Sequence, residues 1–225
     1  MRELSEILRS KDVGAIGIGA MIVFIAMVLV AGIAASVLVQ TANKLEIQAM
    51  QTGDETTAEV ATGLSVVDIE GHVSNSGELD NITIAVKPRA GSYDIDLGET
   101  IIELCDGNTK VLLSYNSSAT WNFNDSVNCS TGRVFHTGSL GWNMTNEEFG
   151  IIVIEDADGS CTATTPVINR GDLVMLCIEL SHCFDGNGLD AREDIWGAVM
   201  PEEGSNGHFA FRVPSSLSDK VYDLY

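Results

Sequence analysis

Between Asp12 and Lys44 the chain carries 31 residues without a charge. Few folds can accommodate such a run. The stretch from Ala15 to Val39, 25 residues, would extend about 38 Å as an α-helix at roughly 1.5 Å per residue. The hydrocarbon core of a bilayer is about 30 Å thick, so the segment can span one. Apolar residues occupy every face of that helix, which therefore needs apolar surroundings on all sides. Lipid meets the need, and so does a bundle of like helices.

Arg2, Arg9 and Lys11 precede the run, and Lys44 alone follows it closely. Topology follows Lys and Arg rather than net charge, so the N-terminus lies in the cytoplasm and the rest of the chain outside. A secretory signal has a shorter apolar core and an A-x-A-like cleavage site behind it. Gln40-Thr41-Ala42-Asn43 offers none, whereas Val13, Gly14 and Ala15, ahead of the run, are small enough for a protease at the membrane surface. Small residues also recur at spacing four, as in Ala15/Gly19, Ala31/Ala35 and Gly32/Ser36. Such pairs let helix backbones approach closely where van der Waals packing drives association. Gly17-Ile18-Gly19 begins like a dinucleotide fingerprint, but Ile22 stands where the third glycine belongs and no strand precedes it.

Lys11-Asp12-Val13-Gly14-Ala15-Ile16-Gly17-Ile18-Gly19, followed by Met21 to Ala31, resembles the class III, type IV pilin-like signal of archaellins, the archaeal flagellins. The resemblance implies cleavage between Gly14 and Ala15 by a membrane aspartyl peptidase. A mature chain of 211 residues (225 − 14) would begin with the helix.

Past Gln40 the pattern turns amphipathic. Leu38, Ala42, Leu45 and Ala49 form a short heptad-like stripe. Gly53-Asp54 predicts a kink or a short break, with the helix resuming to a stop at Gly63. A helix from Ala15 to about Thr62 would be roughly 70 Å long, which suits a filament core better than a compact globule.

From Leu64 the apolar period changes from 3.6 to 2. Candidate strands are Leu64–Ile69, Ile82–Val86, Tyr93–Leu97, Thr100–Leu104, Lys110–Tyr115, Gly150–Glu155, Leu173–Leu180, Ile195–Met200 and His208–Val213. Short strands separated by Gly, Asn, Asp and Pro clusters predict a β-sandwich or barrel. The expected fold is α+β, a long hydrophobic helix followed by an all-β, sandwich-like (Ig-like) outer domain. Its divisions are a leader over 1–14, a helix over 15–63 and an extracellular domain over 64–225.

The resemblance to archaellins continues in Val86-Lys87-Pro88-Arg89-Ala90-Gly91-Ser92, Thr100 to Leu104, Gly150 to Val153, Asp156 to Cys161, Pro166 to Asp172 and Phe211 to Leu217. It is strong over 11–104, repeated over 150–217 and weakest between Asp106 and Glu148, which reads as a variable exposed insertion. N-x-[ST] sequons stand at Asn81, Asn116, Asn124, Asn128 and Asn143. Four of the five crowd into that insertion, so these asparagines are glycosylation candidates on a surface segment.

Other chemistry finds little support. The chain holds 32 acidic against 12 basic residues, a formal charge of −20, with the nine basic residues after Lys11 scattered. Nucleic acid needs a basic footprint and is excluded. His72, His136, His182 and His208 fit no H-E-x-x-H, and neither G-x-S-x-G nor a P-loop occurs, so no enzyme and no cofactor are expected. Cys105, Cys129, Cys161, Cys177 and Cys183 lie outside the membrane, where one or two disulfides can form and the odd count leaves one cysteine over. Cys177 and Cys183 flank His182, but the spacing is not that of a zinc site. Asp185-Gly186-Asn187-Gly188-Leu189-Asp190 starts like a calcium loop and then departs from the template. Asp156-Ala157-Asp158-Gly159 is similarly incomplete. Solvated turns are expected at both, leaving Asp185, Asn187 and Asp190 as the metal candidates.

The resemblance implies a filament subunit at the archaeal cell surface that polymerises through its N-terminal helix into the rotating filament for swimming. Gly17, Gly19, Ala31, Gly32, Ala35 and Ser36 would pack the helices. Its partners would be the membrane before assembly, like subunits, the peptidase, and the assembly and motor machinery. The alternatives are an adhesive type IV-like pilin and an uncleaved single-pass surface protein that binds an external ligand.

Overall fold

The computed structural model describes residues 2–122, 134–135, 142, 144, 147–184 and 188–225, without side chains at 2–13, 15 and 120–122. One α-helix, α1 (Arg2–Ala61), leads the described residues. It runs unbroken through Gly53-Asp54, so the expected interruption is absent. A single glycine costs a helix only about 1 kcal/mol, and the helix formers on both sides outweigh it. Helix also extends upstream of Ala15, through the segment expected to be a leader. Two compact units divide the chain, Met1–Glu55 and Thr56–Tyr225.

The second unit is built of eleven described strands: β1 (Leu64–Val73), β2 (Leu79–Pro88), β3 (Ile95–Asp96), β4 (Ile101–Cys105), β5 (Lys110–Asn122), β6 (Glu148–Glu155), β7 (Val167–Ile168), β8 (Leu173–Glu179), β9 (Asp194–Met200), β10 (Gly207–Arg212) and β11 (Val221–Asp223). Nine form one sheet in the order β10-β9-β4-β5-β6-β8-β2-β1-β11, and β3 pairs with β7. The sandwich-like layers are therefore two parts of one curled sheet that share β5. Neighbours pair antiparallel except β5 and β6, which run parallel. The curl brings the sheet's ends together, where Gly63 bridges to Ser205.

Alternation sorts the side chains. β10 reads buried-exposed throughout, with Phe209 and Phe211 inward. Ile69, Ile82, Ile84 and Leu176 from one part of the sheet meet Ile102, Leu104, Leu113 and Val199 from the other in one core. Burying each such side chain is worth about 1.5–3 kcal/mol. A smaller cluster lies on the opposite face, where Met144, Trp142 and Val134 close over Ile152 and Cys177.

A clamp holds the chain where the helix ends. Ser205 N donates to Thr62 O at 2.9 Å, Leu64 N to Ser205 O at 3.2 Å, and Arg89 N to Gly63 O at 2.9 Å. Gly204 adopts φ +100° beside it, and a Cβ there would collide with the Thr62 carbonyl. Only glycine meets both demands.

Candidate functional site

Among the described residues of the helix, the apolar side chains from Ile16 to Val39 are exposed. Fifteen large hydrophobic side chains between Ile16 and Val39 are exposed, from Val37 at 52% to Ile16 at 72%. Leaving them in water would forfeit about 20–45 kcal/mol, several times the net stability of a typical domain. Gly17, Gly19 and Gly32 have open space where a Cβ would stand, and Ala31, Ala35 and Ser36 are exposed along the same helix. These small residues make shallow places on a surface that must be covered. Gly14 is exposed and helical; the Gly14–Ala15 bond lies inside a continuous helix.

In the outer domain the structure brings together three carboxylates that sequence reasoning did not combine. Oxygens of Asp156, Asp158 and Asp172 lie within 4.8 Å of one another. The turn after β6 positions the first two. Asp156 Oδ1 accepts from Gly159 N at 2.7 Å and its Oδ2 from Cys161 N at 3.0 Å. Asp158 accepts from Ser160 N at 3.0 Å and Asn169 Nδ2 at 2.6 Å. These bonds favour the ionised form, with the Asn169 amide first among them, and hold the Asp158 carboxyl below its usual range. Asp172 comes from the turn before β8, is only 2% exposed, and accepts from Asn169 N at 2.8 Å. Its Oδ1 is buried without a partner. Burial, followed by the charges of Asp156 and Asp158, pushes its carboxyl up. Hard divalent cations take such oxygen sets, so these three residues could hold one. The sequence signal was divided: Asp156 and Asp158 stand in one turn, Asp172 in another. Of the earlier metal candidates, Asp190 is exposed, while Asp185 and Asn187 lie outside the described residues.

The family model for archaeal-type flagellin matches residues 14–211. This chain belongs to that family. Flagellin B2 of Methanocaldococcus jannaschii is 44% identical over 94% of this flagellin and 93% of its own length. Flagellin B3 of the same organism is 40% identical over 94% and 95%. Among solved structures, archaeal flagellin FlaB1 from Methanocaldococcus jannaschii superposes with a TM-score of 0.64 at 26% identity, covering 73% of this chain and 97% of that one. The archaeal flagellum of Methanospirillum hungatei strain JF1 shares the fold, with a TM-score of 0.62 at 16% identity over 91% and 98%.

Two of this flagellin's five sequons fall on described residues, and both sit in strands. Asn81, in β2, is half-buried and lies opposite His72 and Glu179, its Oδ1 without a partner. Asn116, in β5, donates Nδ2 to Glu148 Oε2 at 2.6 Å. Strand β5 thus continues to Asn122, inside the segment read from sequence as an exposed insertion. Asn124, Asn128 and Asn143 lie outside the described residues, as do Cys129 and His136. Cys105, Cys161, Cys177 and Cys183 are free thiols. Burial, helped by nearby carboxylates, pushes Cys161 and Cys183 up to about 12.

Proposed function

We propose that this flagellin is the repeating structural subunit of the archaeal swimming filament, and that it polymerises through its N-terminal helix. One observation carries the reading: a family member whose helix is apolar on every face from Ala15 to Val39 and whose described large apolar side chains there are exposed. Lipid covers that surface before assembly, and like helices cover it afterwards. One apolar environment replaces another, so the close packing allowed by Gly17, Gly19, Ala31, Gly32, Ala35 and Ser36 decides the assembled state. Head-to-tail contacts that do not close generate a helical polymer. The β-domain then forms the acidic outer sheath, with sequons of its surface segments as glycan acceptors.

Processing precedes assembly. The leader carries Arg2, Arg9 and Lys11 beside Glu3, Glu6 and Asp12. Bringing unpaired charges into an apolar bundle is costly. A membrane aspartyl peptidase that cuts between Gly14 and Ala15 removes all six, and the assembly and motor machinery acts on the product. Gly14→Val is expected to block cleavage and abolish filaments. N-terminal sequencing of sheared extracellular material tests the reading directly. A start at Ala15-Ile16-Gly17 supports it, and a chain starting at Met1 found only with membranes refutes it in favour of an anchored surface protein.

A further inference from the structure

Among the described residues, the outward surface of the sheet is covered over its middle strands and exposed over the strands at the β10 end. Over β6 and β8, Trp142 and Met144 close off Ile152 and Cys177. Over β10, β9, β4 and β5 the inward residues fill the core, and their alternates point outward. Strand register sets those alternates in rows. Trp196 lies beside Cys105 and Cys105 beside Lys110; Ala198 lies beside Glu103 and Glu103 beside Leu112. Met200 and Ile101 form the next pair. Leu112 is 52% exposed, Trp196 46% and Ile101 43%.

Charge sets this face apart. Lys110 Nζ lies 2.8 Å from Glu103 Oε1, and Arg212 Nε lies 3.4 Å from Asp194 Oδ1. The two pairs cancel, so the face is neutral in a chain of formal charge −20. At the other end of the sheet Asp68, Glu70 and Asp223 crowd together, and their like charges oppose one another.

We infer that the outward face of β10, β9, β4 and β5 docks the outer domain of a second copy of this chain. The inference rests on the polymer reading and adds a contact to it beyond the helix. Two copies of an acidic domain repel across most of their surface, and the neutral apolar face is where they can close. A cationic partner would prefer the acidic end instead. Size points the same way. Four strands about 4.8 Å apart and some six residues at about 3.3 Å give roughly 400 Å². That is short of the about 800 Å² per partner of a free-standing complex. It suits a lateral contact between subunits already held at high local concentration by their helices. Because a filament does not close, the face meets a different surface of the next copy.

The test compares hydroxyl-radical oxidation of Trp196 in intact sheared filaments with the same full chain dispersed in detergent. Oxidation should fall about five-fold on assembly, as 46% exposure drops below roughly a tenth. Filaments in which Trp196 oxidises equally overturn the docking face and leave the helix-driven polymer standing. If no filament is recovered from cells making the wild-type chain, both readings fall. Leu112→Glu gives a second check: its filaments should disassemble at a lower temperature than wild type, and an unchanged temperature overturns the inference.

Discussion

Asp172 concentrates the electrostatic strain of the outer domain in one side chain. It is almost fully buried, has an unpartnered oxygen and faces two other carboxylates. The hydrogen bond from Asn169 offsets only part of that, and the folded carboxyl is held above its ordinary 3.8. The folded chain therefore binds this proton more readily than the unfolded one. Stability from the protonated form is complete below the ordinary value and is lost as pH rises through the raised one. At neutral pH the charged group is a liability. Asp172→Asn keeps an acceptor for Asn169 N and turns amide donors toward Asp156 and Asp158. With a chelator present, the variant should gain about 1 kcal/mol, or about 2–4 °C in thermal melting at pH 7. The gain should shrink toward zero below the ordinary carboxylate range. A variant melting lower than wild type at pH 7 would show that the charge is favourable where it stands.

At the scale of elements, the helix shows what sequence periodicity can and cannot carry. Its existence follows from the uncharged run, but Gly53-Asp54 misled, because propensity at one position is weak against a long cooperative helix. Open space surrounds Gly53, so Gly53→Ala should stabilise the helix by about 1 kcal/mol. In detergent that would slow amide exchange over the flanking turns about five-fold, and unchanged exchange would show the glycine held by something other than propensity. The strands tell a similar story. Clean alternation in Ile82–Val86 and His208–Val213 made them legible. The far end of β5 was not, because Asn116, Ser117 and Ser118 have turn-like composition and depend on the pairing of Tyr115 with Phe149 in β6. Strand β11 has three residues and is fixed by pairing to Glu70, Gly71 and His72, which no local pattern announces. The carboxylate cluster failed to appear for the same reason. Sequence shows Asp156 and Asp158 as neighbours, while Asp172 joins them only through the return of the chain by β7.

For the whole molecule the governing quantity is charge. The proposed leader holds three basic and three acidic residues, so its removal would leave the formal charge at −20. Every copy added to a polymer therefore brings the same large negative charge alongside its neighbours. Helix packing and the neutral sheet face favour assembly, and this repulsion opposes it. Only the repulsion depends strongly on salt. Lowering ionic strength from about 0.1 M to about 0.01 M extends the screening length from about 10 Å to about 30 Å, enough for outer domains to act on one another over most of their width. Filaments are thus expected to disassemble at a lower temperature in dilute buffer than in salt. Mild acid should restore part of the loss, beginning with Glu70, whose carboxyl burial and then Asp68 and Asp223 hold above its ordinary value. Unfolding of detergent-dispersed subunits should respond far less to salt, because the repulsion that matters is between copies. A disassembly temperature independent of salt would mean that neighbouring outer domains stand too far apart to feel one another, which also counts against a docking contact between them.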